Sequence, residues 1–226
     1  MALNILIPIK LLTVLCLASC SIVESDKLNT TKSTLERLIE LNKDSNQAKP
    51  IIDIKKEIVD YIQYPLIEVR SNGIIRQVLM IPLSTRDQVR YFTSGGGQSL
   101  TISNNLVTKT KGINVELISV EFDKKSPVTK QMPIHNWPKV LNRIYHYSSP
   151  GFKIISIQFN CKIGKPVEEM IILQEENLYL SKVKEKCKSK SLNFENTYWL
   201  NEQGKIYKSI QWVSPKNIYL EINKFY

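Results

Sequence analysis

Apolar positions along the chain change their spacing at Pro65. Before it they recur at helical intervals: Leu35, Leu38 and Ile39 in one stretch, then Ile54, Ile58, Tyr61 and Ile62 in another. Ser33 with Glu36 forms a capping box, in which the hydroxyl accepts a backbone N–H and the carboxylate reaches back. Residues 46–50 interrupt the pattern, and Pro65 ends the second stretch because it cannot continue a helix. The spacing predicts two short helices, one from Ser33 and one over about 53–62. Each is too short to stand alone in water, so both are expected to pack on something larger.

From Pro65 the period is two, the mark of strands with one buried face. Residues 66–70 read as a strand, Asn72-Gly73 as a two-residue hairpin turn that favours positive φ, and 74–80 as the return, closed by Pro82. Tyr91-Phe92-Thr93 leads into Ser94-Gly95-Gly96-Gly97. That glycine run lacks the GxxxxGK[ST] spacing of a phosphate loop and reads as a turn between strands. Further strands are expected over 98–103, 106–111, 113–122, 152–160, 168–174 and 177–183. Pro127, Pro133, Pro138 and Pro150 argue for loops or an edge over 123–150, with a break there between two halves. The C-terminal block holds three more strands, 194–200, 205–215 and 218–222. About ten strands after two helices predict a mainly β fold. The expectation is an antiparallel barrel-like or sandwich domain with two short N-terminal helices packed at one side.

The first 19 residues stand apart from this pattern. Lys10 precedes an apolar run from Leu11 to Ala18, and small residues then lead to a cysteine: Leu17-Ala18-Ser19-Cys20. Charge, apolar stretch, small residues and a cleavage point make a secretory signal. The cysteine directly after it resembles the bacterial lipobox, which implies a thiol carrying diacylglycerol and an acylated new N-terminus. Pro8 and Lys10 interrupt the run, and it falls short of the ~20 residues that span a bilayer. Each buried methylene of an acyl chain contributes roughly 0.8 kcal/mol, so two or three chains on Cys20 hold firmly where one holds weakly. The expected organisation is a signal peptide over 1–19, a lipidated polar tether over 20–32, and a β-rich domain over 33–226. Position 21 is Ser, not the Asp that commonly retains lipoproteins at the inner membrane of enteric bacteria. That points to the outer membrane, with the domain facing the periplasm.

Export changes how charge and cysteine read. Lysine and arginine number 31 against 21 acidic residues, a net +10. Only Lys10 lies in the signal, so the mature chain stays strongly basic. A basic balance suits nucleic acid, an anionic membrane or an acidic polymer. An exported chain favours the last two and not nucleic acid. Lys182, Lys184, Lys186, Lys188 and Lys190 alternate: on a strand they form a positive stripe, on a loop a solvated run. Cys16 leaves with the signal and Cys20 takes lipid, so Cys161 and Cys187 remain. They are candidates for one disulfide, which an oxidising compartment permits, or for two buried thiols.

Aromatic and amide groups gather near the end of the chain: Tyr198, Trp199, Tyr207, Gln211 and Trp212, with Lys205 and Lys208 beside them. On exposed strand faces they would hold a glycan, with lysine meeting an acidic one. Buried, Trp199 and Trp212 are core and Gln211 needs hydrogen-bond partners. Enzyme chemistry is poorly supported. There is no GxSxG elbow, no second carboxylate spaced to pair with Glu195 across a sugar, and only His135 and His146 as imidazoles. No cofactor motif and no metal-ligand spacing is present.

Four segments carry a family resemblance. They are Tyr61-Ile62-Gln63-Tyr64-Pro65-Leu66-Ile67-Glu68-Val69, Tyr91-Phe92-Thr93-Ser94-Gly95-Gly96, Leu106-Val107-Thr108-Lys109-Thr110-Lys111-Gly112-Ile113, and Asn196-Thr197-Tyr198-Trp199 with Lys208-Ser209-Ile210-Gln211-Trp212-Val213-Ser214-Pro215. Together the chain resembles the YjbF/YmcC-like outer-membrane lipoproteins of group 4 capsule clusters. Tyr91 stands where that family usually has tryptophan, and Thr197 where arginine is frequent. The resemblance implies a mainly β, barrel-like fold and a noncatalytic part in capsule or extracellular polysaccharide assembly or secretion. It implies membrane lipid at Cys20, anionic polysaccharide and envelope secretion proteins as partners. The alternatives are a periplasmic glycan- or lipid-binding carrier, or a structural interaction module of the envelope.

Overall fold

The computed structural model describes residues 65–72, 77–103, 105–113, 117–123, 132–149 and 153–225. Thirteen strands follow one another: β1 (Leu66–Ser71), β2 (Val78–Arg86), β3 (Val89–Thr93), β4 (Ser99–Ser103), β5 (Leu106–Lys111), β6 (Leu117–Phe122), β7 (Val140–Ser149), β8 (Lys153–Ile163), β9 (Val167–Leu173), β10 (Glu176–Lys188), β11 (Asn193–Leu200), β12 (Ile206–Ser214) and β13 (Ile218–Phe225). Neighbours along the sheet run β5-β4-β3-β2-β1-β13-β12-β11-β10-β8-β7-β6, and β9 pairs with β10 off this path. All described pairings are antiparallel. The two ends of the path, β5 and β6, are consecutive in sequence and meet: Leu117 N–H donates to Thr110 Oγ1 at 3.1 Å. Twelve strands therefore curl into a nearly closed barrel, which removes most of the exposed edge.

The barrel-like alternative of the expected fold holds over the sandwich, and the expected helices are corrected. A sandwich needs two sheets, and here one continuous path links all the strands. Among the described residues there is no α-helix, and the single helical turn is a 3-10 turn over Ile134–Asn136. The stretches read as two N-terminal helices lie outside the described residues. The core of the barrel is built by strands and the segment around Trp137, so no helix layer is part of the described architecture.

The main core sits inside the barrel, where alternate residues of each strand meet. Ile67 and Val69 of β1, Met80 of β2, Leu100 of β4, Tyr145 of β7 and Ile222 of β13 are all nearly inaccessible. A smaller cluster lies on the opposite face of β1, β2 and β13, where Leu66, Leu79, Ile81 and Phe225 pack with Leu173 and Leu178 of the β9–β10 hairpin. Residues 132–137 cover one end of the barrel: Trp137 is buried edge-on to Tyr198 at 6.2 Å, and its indole N–H donates to the Met132 carbonyl at 3.1 Å. Gly204, at φ 82°, presses on this segment so closely that a Cβ would lie 2.0 Å from that same carbonyl. Only glycine fits there.

Two local readings change. Pro82 does not end its strand but pairs with Phe92 inside β2, where the register shifts before Ser84. A bulge tolerates the missing N–H. The proline-rich stretch 123–150 contains β7, one of the longest strands. Its inward positions are Leu141, Arg143, Tyr145 and Tyr147, a buried row that polar side-chain atoms disguise.

Candidate functional site

The C-terminal aromatic block does not form one exposed face. Tyr198 and Trp212 belong to the main core, Trp212 in a ring cluster with Phe194 (stacked, 4.3 Å), Tyr145 (5.3 Å) and Phe159 (5.4 Å). Trp199 is buried on the other face, flanked by Lys182 and Lys208 ammonium groups 5.3 and 5.2 Å from its ring. Those lysines also pair with Glu169 and Glu221, each at 2.7 Å. Tyr207 is half-buried, with Lys205 Nζ 5.0 Å from its ring. Gln211 is interior and joins distant strands: its amide N–H groups donate to the Asn105 carbonyl and Ser209 Oγ, and its oxygen accepts from Val107 N–H at 2.9 Å.

Beneath this block lies a buried polar centre. Arg143 and Glu185 form an ion pair at 2.6 Å with neither side chain exposed. Asn196 Nδ2 and Tyr198 Oη both donate to Glu185 Oε2, at 2.9 and 3.0 Å. Burial, and next the Glu185 charge, hold the Tyr198 hydroxyl well above its ordinary pKa, so it stays a donor. Cys161 and Cys187 are joined as a disulfide between directly opposed positions of β8 and β10. The sulfurs bind each other and Glu185 binds Arg143, so this cysteine–carboxylate cluster offers no free ligand set for a metal.

A concave feature of the surface lies beside that disulfide. β11 and β12 pair only from Thr197 opposite Ile210 to Leu200 opposite Ile206. Toward the other end of β11 the two strands splay, and Asn196 Oδ1 bridges the gap by accepting from Trp212 N–H at 2.8 Å. Beside this end of β11 runs a groove of about 1040 Å³, lined from β8, β10, β11 and the start of β13. Its floor includes Cys187 and Phe194, and its walls Asn72, Asn160, Asn193, Asn217 and Tyr219. Lys162, Lys186, Lys188 and Lys190 line it together with a single carboxylate, Glu195. Strand β10 explains this charge. Lys182, Lys184, Lys186 and Lys188 share its face away from the core, while Val183, Glu185 and Cys187 point inward. The first two lysines are engaged by Glu169 and Glu195, whereas Lys186 and Lys188 reach the groove. Sequence alternation left these lysines as either a strand stripe or a solvated run; β10 makes Lys182 to Lys188 a stripe, with Lys190 past its end, while the asparagines and Lys162 come from other strands and turns.

The family model described as "Group 4 capsule polysaccharide lipoprotein gfcB, YjbF" matches residues 33–225. The chain belongs to this family. A capsule lipoprotein family agrees with an envelope role, and it covers the whole described barrel. Among solved structures, the chain is similar to the hypothetical lipoprotein YmcC from Escherichia coli (K12), with a TM-score of 0.67 at 14% identity. That similarity covers 85% of this chain and 95% of the other, and it supports the fold. No curated protein matches the chain.

Proposed function

We propose that this YjbF-family chain is a noncatalytic outer-membrane lipoprotein that assists assembly or secretion of capsule or extracellular polysaccharide. The family match over residues 33–225, directly after a lipobox-like Cys20 and a polar tether, carries the reading. Acylated Cys20 anchors the chain to membrane lipid, and the β domain faces the periplasm, where anionic polymer and envelope secretion proteins are its partners. The strongly basic composition supports an acidic partner. A lipid carrier is less well supported, because aromatic side chains such as Tyr145, Phe159 and Trp212 pack against one another inside the barrel.

Deleting the gene in a host that expresses its polysaccharide cluster tests the reading. Total polymer should stay near wild type while surface polymer falls. Unchanged surface polymer would refute it.

A further inference from the structure

We infer that the groove lined by the ends of β8, β10 and β11 and by Asn217 and Tyr219 binds a segment of acidic polysaccharide, a run of sugars bearing carboxylates. This rests on the proposed role in polysaccharide assembly and adds to it a site and a ligand chemistry.

The register sets the charges. Lys162 of β8 and Lys186 of β10 are directly opposed, and one step along Asn160 opposes Lys188, which in turn opposes Asn193 of β11. Like charges directly opposite each other on a sheet are destabilising. Glu195 relieves little of this, since it lies 2.7 Å from Lys184 and 3.9 Å from Lys186. Among the described residues no carboxylate pairs with Lys162, Lys188 or Lys190. An anion in the groove would offset the repulsion, so the site gains from a charge that the fold does not supply.

The lining argues for sugar over a lone ion or a membrane. The side-chain amides of Asn193 and Asn217 offer donors and acceptors that match hydroxyl groups, whereas Asn72 already bonds the Asn217 carbonyl and Tyr219 N–H and Asn160 donates to Asn142. Tyr219 is half-buried at the wall and presents the flat apolar body of a phenol ring. The volume lies just above the usual range for small-molecule sites, which suits a segment of several sugar rings. A concave basic groove also differs from the apolar, membrane-penetrating face of an interfacial protein.

The test uses the full mature lipoprotein in neutral detergent, with labelled oligogalacturonate as the acidic glycan. Maltohexaose, polyglutamate and anionic phosphatidylglycerol vesicles are the comparisons. Oligogalacturonate should bind and be displaced by salt. K162E and K188E should each weaken it by about tenfold or more, while K109E, on exposed Lys109 of β5, should leave it within about twofold. Melting curves check the fold, and K188Q reads the same contact if a charge reversal fails to fold. The inference is overturned if oligogalacturonate does not bind, or if K109E weakens it as much as K188E. It is equally overturned if maltohexaose or polyglutamate binds as well, or if the variants lose only vesicle binding. Surface polymer in the deletion strain is read separately. Loss there without oligogalacturonate binding removes the groove and keeps the role, and binding without that loss does the reverse.

Discussion

Arg143 and Glu185 place a full ion pair in a core built mainly from aromatic and aliphatic side chains. Such a pair adds little net stability, because desolvating two charges offsets their attraction, but breaking it strands a buried charge. Glu185→Leu should therefore destabilise the fold by about 3–5 kcal/mol, and the double variant Arg143→Met with Glu185→Leu should recover most of that loss. Urea unfolding of the three proteins decides it, and a double variant no more stable than the single one would refute the account. At this scale the sequence was partly legible. Gln211 stands between Ile210 and Trp212, so its need for partners when buried followed from local pattern. That those partners are Asn105, Val107 and Ser209 did not, since two of them come from the far side of the fold. The glycan role suggested for Tyr198, Trp199, Tyr207, Lys208, Gln211 and Trp212 depended on exposure, which alternation alone does not give. Four of the six are buried.

At the level of elements, the β8–β10 pair carries both the disulfide and the lysines of the groove. The bond closes a loop with a sequence separation of 26. Chain entropy puts its contribution at about 3.5 kcal/mol. Reducing agent, or the variant C161S/C187S, should lower the unfolding free energy by about that much; an unchanged urea midpoint under reduction would show that the bond contributes nothing. Strands bounded by clear turn signals, such as β4 and β5 between Gly95-Gly96-Gly97, Asn104-Asn105 and Gly112, fall close to their expected limits. β7 was hidden because proline marks its surroundings and Arg143 and two tyrosines fill its inward positions. Pro82 misled for the opposite reason: a bulge absorbs it, and a bulge depends on the partner strand.

Across the whole molecule, closure depends on contacts between segments far apart in sequence. β1 joins β13, which brings residues near 66 beside residues near 225, while Gln211 ties β12 to β5. The proposed attachment to the membrane, by contrast, rests on Cys20 alone. In membrane fractionation the wild type should appear with the outer membrane and carry an acylated N-terminal mass, whereas Cys20→Ala should lose that acylation. A wild type without acyl mass would sink the anchor. The sequence by itself determined the strand pattern after Pro65, the alternation of lysines over 182–190 and the family, because each is written in neighbouring residues. The tertiary structure decided that the strands share one sheet, which aromatics are interior, and that Lys162, Lys188 and four asparagines meet at one groove. Those facts depend on strand register and on how β8, β10, β11 and β13 come together, which are set by pairing energies summed over the whole barrel rather than by local pattern.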